Sequence, residues 1–326
     1  MPKVLIAPAT LAKLDGPWLD LLRGAGFECI FPSVAHQLTE AELLDVLPGV
    51  VASLAGSEPY NARVIAANPQ LKVIARAGVG YDAVDVPAAT KQAVAVCTTP
   101  GTNHDAVAEY TFTMLLGLAK NLVNLHNQTM KGAWPRQCLV PLRGRTLGIC
   151  GLGRIGKSVA LRGLAFGMKL LVYEPFPDAK FVAEHKIPLV SFEQLMRESD
   201  FVTMHVPLTA ESKYMINKQS LGWMKPTAYY VNTARGGLQN EADLAEALKA
   251  KKIAGAGIDV FEIEPPGKSP LFECDNVIVA PHVAGIDSQA LHEMAVSAAR
   301  SIVRLSKGEW PEAEVVNQDI RSRFKF

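Results

Sequence analysis

Short β-branched or aliphatic runs alternate along this chain with longer stretches whose apolar residues recur every three or four positions. That alternation predicts parallel sheets with crossover helices. In the N-terminal third the runs predict strands at 3–7, 27–31, 50–54, 73–77 and 94–97. Helices are expected between them, for example at 18–25 and 39–47, and Thr39 followed by Glu42 has the spacing of a capping box. After Pro100-Gly101 the helical spacing is sustained from Asp105 to Lys131, which predicts one long helix ending near Gly132. A second series then begins with a strand at 146–150, a helix at 155–166 and a strand at 169–173. Further strands are predicted at 201–205, 228–232, 255–259 and 277–280, and a helix at 288–306. The polar tail 317–326 is expected to be peripheral. Two series predict two open α/β sheets.

Composition narrows the partners. With 326 residues there is room for two cores, and 49% apolar with 20% charged residues is ordinary for a globular protein. Lysines and arginines number 33 against 32 acids. This balance gives no electrostatic reason to expect nucleic acid or an anionic membrane as partner. No apolar run reaches the roughly 20 residues needed to cross a bilayer, and the first residues lack a signal-peptide pattern. The five cysteines are scattered, with no close pair, which argues against disulfides and against a zinc site. A reduced, cytoplasmic, metal-free protein is expected.

Gly151-Leu152-Gly153-Arg154-Ile155-Gly156 carries the first chemical signal. Such a string is weak alone, but here it follows a predicted strand and opens a predicted helix. Gly151 suits a tight turn, Gly153 a close approach of backbone to pyrophosphate, and Gly156 close helix–strand packing. Glu174 ends the next strand, at the distance expected of an acid that binds the adenosine ribose, and Pro175-Phe176-Pro177 follows without an arginine. This pattern predicts NAD in preference to NADP.

Ligands of open α/β sheets lie beyond the carboxyl ends of the strands. That rule singles out Arg235, Asp259, Glu264 and His282, each at or just after a predicted strand. Reduction of a 2-keto acid needs a forked cation for the carboxylate, which arginine supplies. It also needs a proton donor beside the carbonyl, which suits histidine, and a carboxylate on the far ring nitrogen to orient it. Glu264 is placed in sequence for that last task. His205 is expected to line a cofactor crevice without transferring protons.

These residues resemble those of the D-isomer-specific 2-hydroxyacid dehydrogenases, with the phosphoglycerate and glyoxylate/hydroxypyruvate branches most similar. The resemblance runs over nearly the whole chain. It is carried by Arg76-Ala77-Gly78-Val79-Gly80-Tyr81-Asp82, Pro100-Gly101-Thr102-Asn103 with Val107-Ala108-Glu109, the glycine-rich turn, and the segments 233–237, 259–266 and 281–285. It implies a Rossmann nucleotide-binding domain (100–285) inserted in a flavodoxin-like substrate domain (1–99 plus 286–326). It implies Arg235, Glu264 and His282 as the catalytic set, and Arg76, Gly78, Val79 and Gly80 as the substrate loop. Val107, Arg154, Ile155, His205, Val206, Pro207, Thr233, Ala234 and Asp259 join the glycines and Glu174 on the cofactor side. A helical arm at 106–134 is expected to pack on a second subunit, making a homodimer or higher oligomer.

One departure bears on the substrate. Phosphoglycerate-type members tend to carry an arginine in the loop after the third strand, and Ser53-Leu54-Ala55-Gly56-Ser57 has none. The expected function is therefore NAD(H)-dependent interconversion of a small 2-keto acid, such as glyoxylate or hydroxypyruvate, with its D-2-hydroxy acid. D-3-phosphoglycerate dehydrogenase is the alternative, and an NAD(H)-sensing corepressor is the alternative of another class. Formate oxidation would call for glutamine in place of Glu264.

Overall fold

The computed structural model describes residues 1–12 and 14–326. The chain forms two compact units, 1–103 with 286–326, and 104–285. The break falls four residues later than the expected 99/100 boundary, because the turn after the last strand of the first unit stays with that unit.

The first unit runs β1 (Lys3–Ile6), α1 (Pro17–Gly24), β2 (Glu28–Ile30), α2 (Glu40–Val46), β3 (Val50–Ala55), α3 (Ala62–Ala67), β4 (Val73–Arg76), α4 (Val86–Lys91) and β5 (Ala95–Cys97). Its five strands are all parallel in the order β2-β1-β3-β4-β5, the flavodoxin-like arrangement. The near-continuous apolar runs have a simple cause: helices flank a parallel sheet, so both strand faces are covered. Val4, Leu5, Ile6, Val73, Ile74 and Val96 are fully buried. The capping box forms as expected, with the Glu42 amide donating to Thr39 Oγ1 and the Thr39 amide to Glu42 Oε2.

The second unit opens with α5 (His104–Ala119) and α6 (Leu122–Met130) where the sequence predicts a single helix. Asn121 separates them in the left-handed conformation, φ 49°, a conformation asparagine tolerates better than most residues. α5 is packed along most of its length, whereas α6 has no buried residue. Then follow β6 (Thr146–Cys150), α7 (Arg154–Ala165), β7 (Lys169–Tyr173), α8 (Ala179–Glu184), α9 (Phe192–Glu198), β8 (Phe201–Met204), α10 (Lys218–Trp223), β9 (Tyr229–Asn232), α11 (Glu241–Lys249), β10 (Gly255–Ile258) and β11 (Val277–Val279).

These six strands are parallel in the order β11-β10-β9-β8-β6-β7. A bridge from Val172 to Leu189 adds a rudimentary strand outside β7 and completes the doubly wound Rossmann order. The order reverses between β6 and β8, so the crevice for a dinucleotide falls at the end of β6.

The chain returns to the first unit with α12 (Ser288–Ser306), which packs on α1 and over β3 and β4. Its buried stripe is rich in alanine (Ala290, Ala295, Ala298, Ala299), which lets the helix lie close. The tail is not peripheral, contrary to the reading of its polar composition. Asn317 is 4% exposed. Its Oδ1 accepts from the Val96 amide, and its Nδ2 donates to the Val94 carbonyl at 2.9 Å and to Thr90 Oγ1. Ile320 is fully buried and Phe326 packs edge-on against Phe27. A polar side chain that satisfies the edge of β5 leaves no periodic trace.

Candidate active site

The glycine-rich turn leaves β6 at the point where the strand order reverses. Gly151 has φ 95°, and a Cβ there would stand 2.6 Å from the His205 carbonyl oxygen. A Cβ on Gly156 would stand 2.0 Å from the Gly151 carbonyl oxygen. The turn is thus pressed against the neighbouring strand end and against its own helix, as the motif requires. On its other side no described residue lies within 4 Å of a Cβ placed on Gly153, the N-cap of α7, and that cap makes no side-chain hydrogen bond among the described residues. Open space faces the uncapped first turn of a twelve-residue helix, with Arg154 and Ile155 at its head. First-turn amides and the positive end of the helix dipole suit a pyrophosphate there.

Glu174 sits over this turn. Its Oε2 accepts from the Leu152 amide at 2.7 Å and its Oε1 from the Phe176 amide at 2.9 Å. A carboxylate fixed in this way has lone pairs left for a ribose diol and repels a 2′-phosphate. Replacing Glu174 by glutamine is expected to raise the NADPH-to-NADH ratio of kcat/KM about tenfold, or about 1.4 kcal/mol. Steady-state kinetics with both cofactors checks this, and an unchanged ratio would remove Glu174 from cofactor choice.

His205 leaves β8 with its amide on the Cys150 carbonyl. Its Nε2 pairs with Thr203 Oγ1 at 2.5 Å, while Nδ1 is buried without a partner among the described residues. Burial lowers the imidazole to about 3, so the ring is neutral at physiological pH and unsuited to donate protons. Val206 follows, half-buried, and Pro207 is exposed. From α5, buried Val107 offers its carbonyl to Thr111, whose hydroxyl meets that of Thr233 at 3.0 Å. Thr233 and Ala234 thereby gain a fixed backing.

Three strand ends converge in the second unit. His282 Nδ1 lies 2.6 Å from Glu264 Oε2. Glu264 Oε1 accepts from the Phe261 amide at 3.0 Å. Burial would raise the Glu264 carboxyl, but the hydrogen bond and charge of His282, the Phe261 amide and the charge of Arg235 outweigh it and hold it below its ordinary value. The stabilisation from this carboxylate is therefore present above the ordinary carboxylate range and is lost as pH falls through the depressed value. The two side chains remain 42% and 36% exposed, so the pair is accessible.

His282 has φ 55°, a left-handed backbone that costs a non-glycine residue roughly 1–3 kcal/mol. Asp259 holds it there. The Asp259 carbonyl accepts from the His282 amide at 2.8 Å, and its two carboxylate oxygens accept from the amides of Val283 and Ala284, each at 2.9 Å. Asp259 is fully buried, and that burial raises its carboxyl despite the two amides. The residue assigned from sequence to the cofactor thus also builds the loop that carries His282.

Arg235 is presented by a second set of bonds. Asn232 Oδ1 accepts from the Ala234 amide, and its Nδ2 donates to the Arg235 carbonyl, both at 2.9 Å. Gln239 Oε1 accepts from Asn232 and from the Tyr230 hydroxyl, all three residues being fully buried. Gln239 Nε2 reaches the Val260 carbonyl, which ties the Arg235 turn to the strand end of Asp259. Gly236 brings the two segments into direct contact: a Cβ there would lie 1.9 Å from the Phe261 carbonyl carbon. Glu241 and Glu262 lock the Glu264 loop from the far side, each accepting from the other's amide, at 2.7 and 2.8 Å.

Comparison with known proteins identifies the family. Residues 112–284 match the family model described as D-isomer specific 2-hydroxyacid dehydrogenase, NAD binding domain. The chain belongs to the D-isomer specific 2-hydroxyacid dehydrogenase family. It is an NAD-dependent oxidoreductase of 2-hydroxy acids. The dehydrogenase is 40% identical over 271 residues to a glyoxylate reductase of Korarchaeum cryptofilum, covering 81% of each chain. It is 37% identical over 305 residues to a D-3-phosphoglycerate dehydrogenase of Synechocystis, covering 93% of this chain and 54% of that one. A solved structure of a Thermus thermophilus protein superposes with a TM-score of 0.86 at 34% identity, covering 97% of this chain and 100% of the other.

The residues singled out from the dehydrogenase sequence fall in two places in the second unit and one in the first. Those of the glycine-rich turn, Glu174 and His205 surround the end of β6, while Arg235, Asp259, Glu264 and His282 cluster at β9 to β11. In the first unit, Arg76 Nε donates to the Gly80 carbonyl at 2.7 Å, so Arg76 shapes the Gly78–Gly80 loop. Asn232, Gln239, Glu241 and Glu262 escaped the sequence reading. Only the position of Asn232, directly before the Thr233–Gly237 segment, could have drawn attention to it.

Proposed function

We propose that the dehydrogenase reduces a small, unphosphorylated 2-keto acid, glyoxylate or hydroxypyruvate, to its D-2-hydroxy acid. The observation that carries the chemistry is the 2.6 Å pair of His282 and Glu264, with the Arg235 charge felt at Glu264. The glyoxylate reductase of Korarchaeum cryptofilum supports the substrate class, as does a 53–57 loop without a basic residue.

In this reading Arg235 grips the substrate carboxylate with its fork and aligns the carbonyl. In the first unit, the amides of Val79 and Gly80 are assigned to holding the substrate carboxylate. His282 gives its proton to the carbonyl oxygen during reduction and takes it back during oxidation, while Glu264 keeps the ring oriented. NADH, when bound, supplies the hydride. Gly151, Gly153, Arg154, Ile155, Gly156 and Glu174 would hold its pyrophosphate and ribose, and Val107, His205, Val206, Pro207, Thr233, Ala234 and Asp259 line the remainder.

Two measurements test this. NADH consumption is expected with glyoxylate or hydroxypyruvate, and preference for 3-phosphohydroxypyruvate would instead favour the function named for the Synechocystis relative. Arg235→Lys keeps the charge and loses the fork. A fall in kcat/KM of about tenfold or more is expected, about 1.4 kcal/mol per decade; unchanged kinetics would refute the assigned role.

A homodimer or higher oligomer is part of the proposal. Helix α6 buries none of its residues, and Leu122, Val123, Met130 and Trp134 are all more than half exposed. Such an apolar surface favours a protein partner. Light scattering of the intact chain at a single chain mass would refute it.

A further inference from the structure

The first unit contains a buried carboxyl group that the mechanism does not use. Glu58 is 2% exposed and lies past the carboxyl end of β3. Its Oε2 accepts from the Gly56 amide at 2.5 Å. The fit is close, since a Cβ on Gly56 would stand 2.8 Å from Glu58 Oε1. The same strand end adjoins the Gly78–Gly80 loop. The Ala77 amide donates to the Ala55 carbonyl at 2.8 Å, and Arg76 Nη2 lies 3.3 Å from where a Cβ on Gly78 would stand.

The Arg76 guanidinium is the cation whose charge acts on Glu58. Burial pushes the Glu58 carboxyl up, while its own amide, the Gly56 amide and Arg76 pull it back. Beneath it, the Tyr60 and Ser53 hydroxyls pair at 2.5 Å, both fully buried.

Backbone amides and a guanidinium at a strand end are the donors a phosphate or second carboxylate would seek. Here an internal acid already takes the Gly56 amide and sits in the field of Arg76. We propose that Glu58 is a specificity-determining residue: its carboxyl group takes the Gly56 amide beside Arg76 and excludes 2-keto acids whose tail bears a phosphate or a second carboxylate. This deepens the function proposed above and rests on its placement of the substrate carboxylate at the Gly78–Gly80 loop. A dianionic tail would meet a like charge in a place of low dielectric, whereas a hydrogen or hydroxymethyl tail would not.

The test uses the full-length enzyme at pH 8, above the ordinary carboxylate range. Glu58→Gln keeps the shape and removes the charge. The kcat/KM ratio of 3-phosphohydroxypyruvate to hydroxypyruvate is expected to rise about tenfold or more, mostly through KM of the phosphorylated acid. The kcat with hydroxypyruvate should stay within about twofold, and Glu58→Asp should keep the discrimination. A purely structural role would depress both substrates alike. Exposed Ser57 offers a second variant that leaves the core untouched. Ser57→Arg adds a cation to the same turn and is expected to shift the ratio in the same direction.

An unchanged ratio in both variants, or a wild type that prefers the phosphorylated acid, would overturn the inference. If the wild type turns over no 2-keto acid, the function reading fails, and Glu58 is then judged by inorganic phosphate in thermal unfolding. Phosphate that stabilises Glu58→Gln or Ser57→Arg, but not the wild type, supports it, and equal responses refute it.

Discussion

Replacing His282 by glutamine is expected to lower kcat about 10³-fold, roughly 4 kcal/mol, with KM for NADH within about twofold of the wild type. Glutamine preserves much of the volume and can still hydrogen-bond Glu264, but it cannot deliver a proton to a developing alkoxide. The proposed cofactor contacts lie on other segments, at the end of β6 and on Glu174, so dinucleotide affinity should survive. Single-turnover kinetics combined with NADH fluorescence titration separates the two quantities. A kcat loss smaller than about tenfold would mean that the proton comes from elsewhere, and a parallel loss of NADH binding would mean that His282 is structural. The left-handed backbone of His282 does not threaten the variant, because the bonds from Asp259 are made to main-chain amides.

Gly236→Ala carries the second large effect although residue 236 has no chemistry of its own. Its methyl group would need to occupy space 1.9 Å from the Phe261 carbonyl carbon and 2.0 Å from its oxygen. Both are backbone atoms, so no rotamer can relieve the clash, and the Arg235 turn must move away from the segment that carries Glu264. Displacement of a positioning group by about 1 Å can cost about 100-fold in catalytic efficiency. Overpacking of this kind typically costs about 1–3 kcal/mol of stability as well. The expected result is a drop in kcat/KM of that order, a lower Tm, and near-normal NADH binding. Wild-type kinetics in Gly236→Ala would show that the contact between the Arg235 and Glu264 segments does not set the geometry of the site.

These two variants mark what could and could not be read from the chain alone. The β–α alternation follows directly from residue pattern, because parallel strands covered on both faces need unbroken apolar runs and their crossover helices need an apolar stripe. The glycine-rich turn was legible for the same local reason: Gly151 and Gly156 answer to contacts within one β–α–β unit. Glu174, Arg235, Asp259, Glu264 and His282 could be singled out as candidates because strand ends in such sheets are where side chains meet ligands.

The order of the strands came from the family resemblance and not from the pattern, since periodicity says which face is buried and nothing about neighbours. Nor was the break at Asn121 legible, where a single left-handed residue divides a pattern that continues on both sides. The packed tail escaped because Asn317 is polar and yet buried, satisfied by backbone groups more than 200 residues earlier. Glu58, Gln239 and the Glu241–Glu262 lock escaped for the same reason. In a sequence a buried acid or amide looks like a solvated one, and only its partners in space tell them apart.

By itself, then, the sequence determined the two α/β units, the dinucleotide turn and the chemical identity of the catalytic candidates, all of which depend on local spacing. The tertiary structure alone decided which carboxyl groups are buried, which amides they satisfy, and how the ends of β9, β10 and β11 meet, because those depend on contacts between segments far apart in the chain.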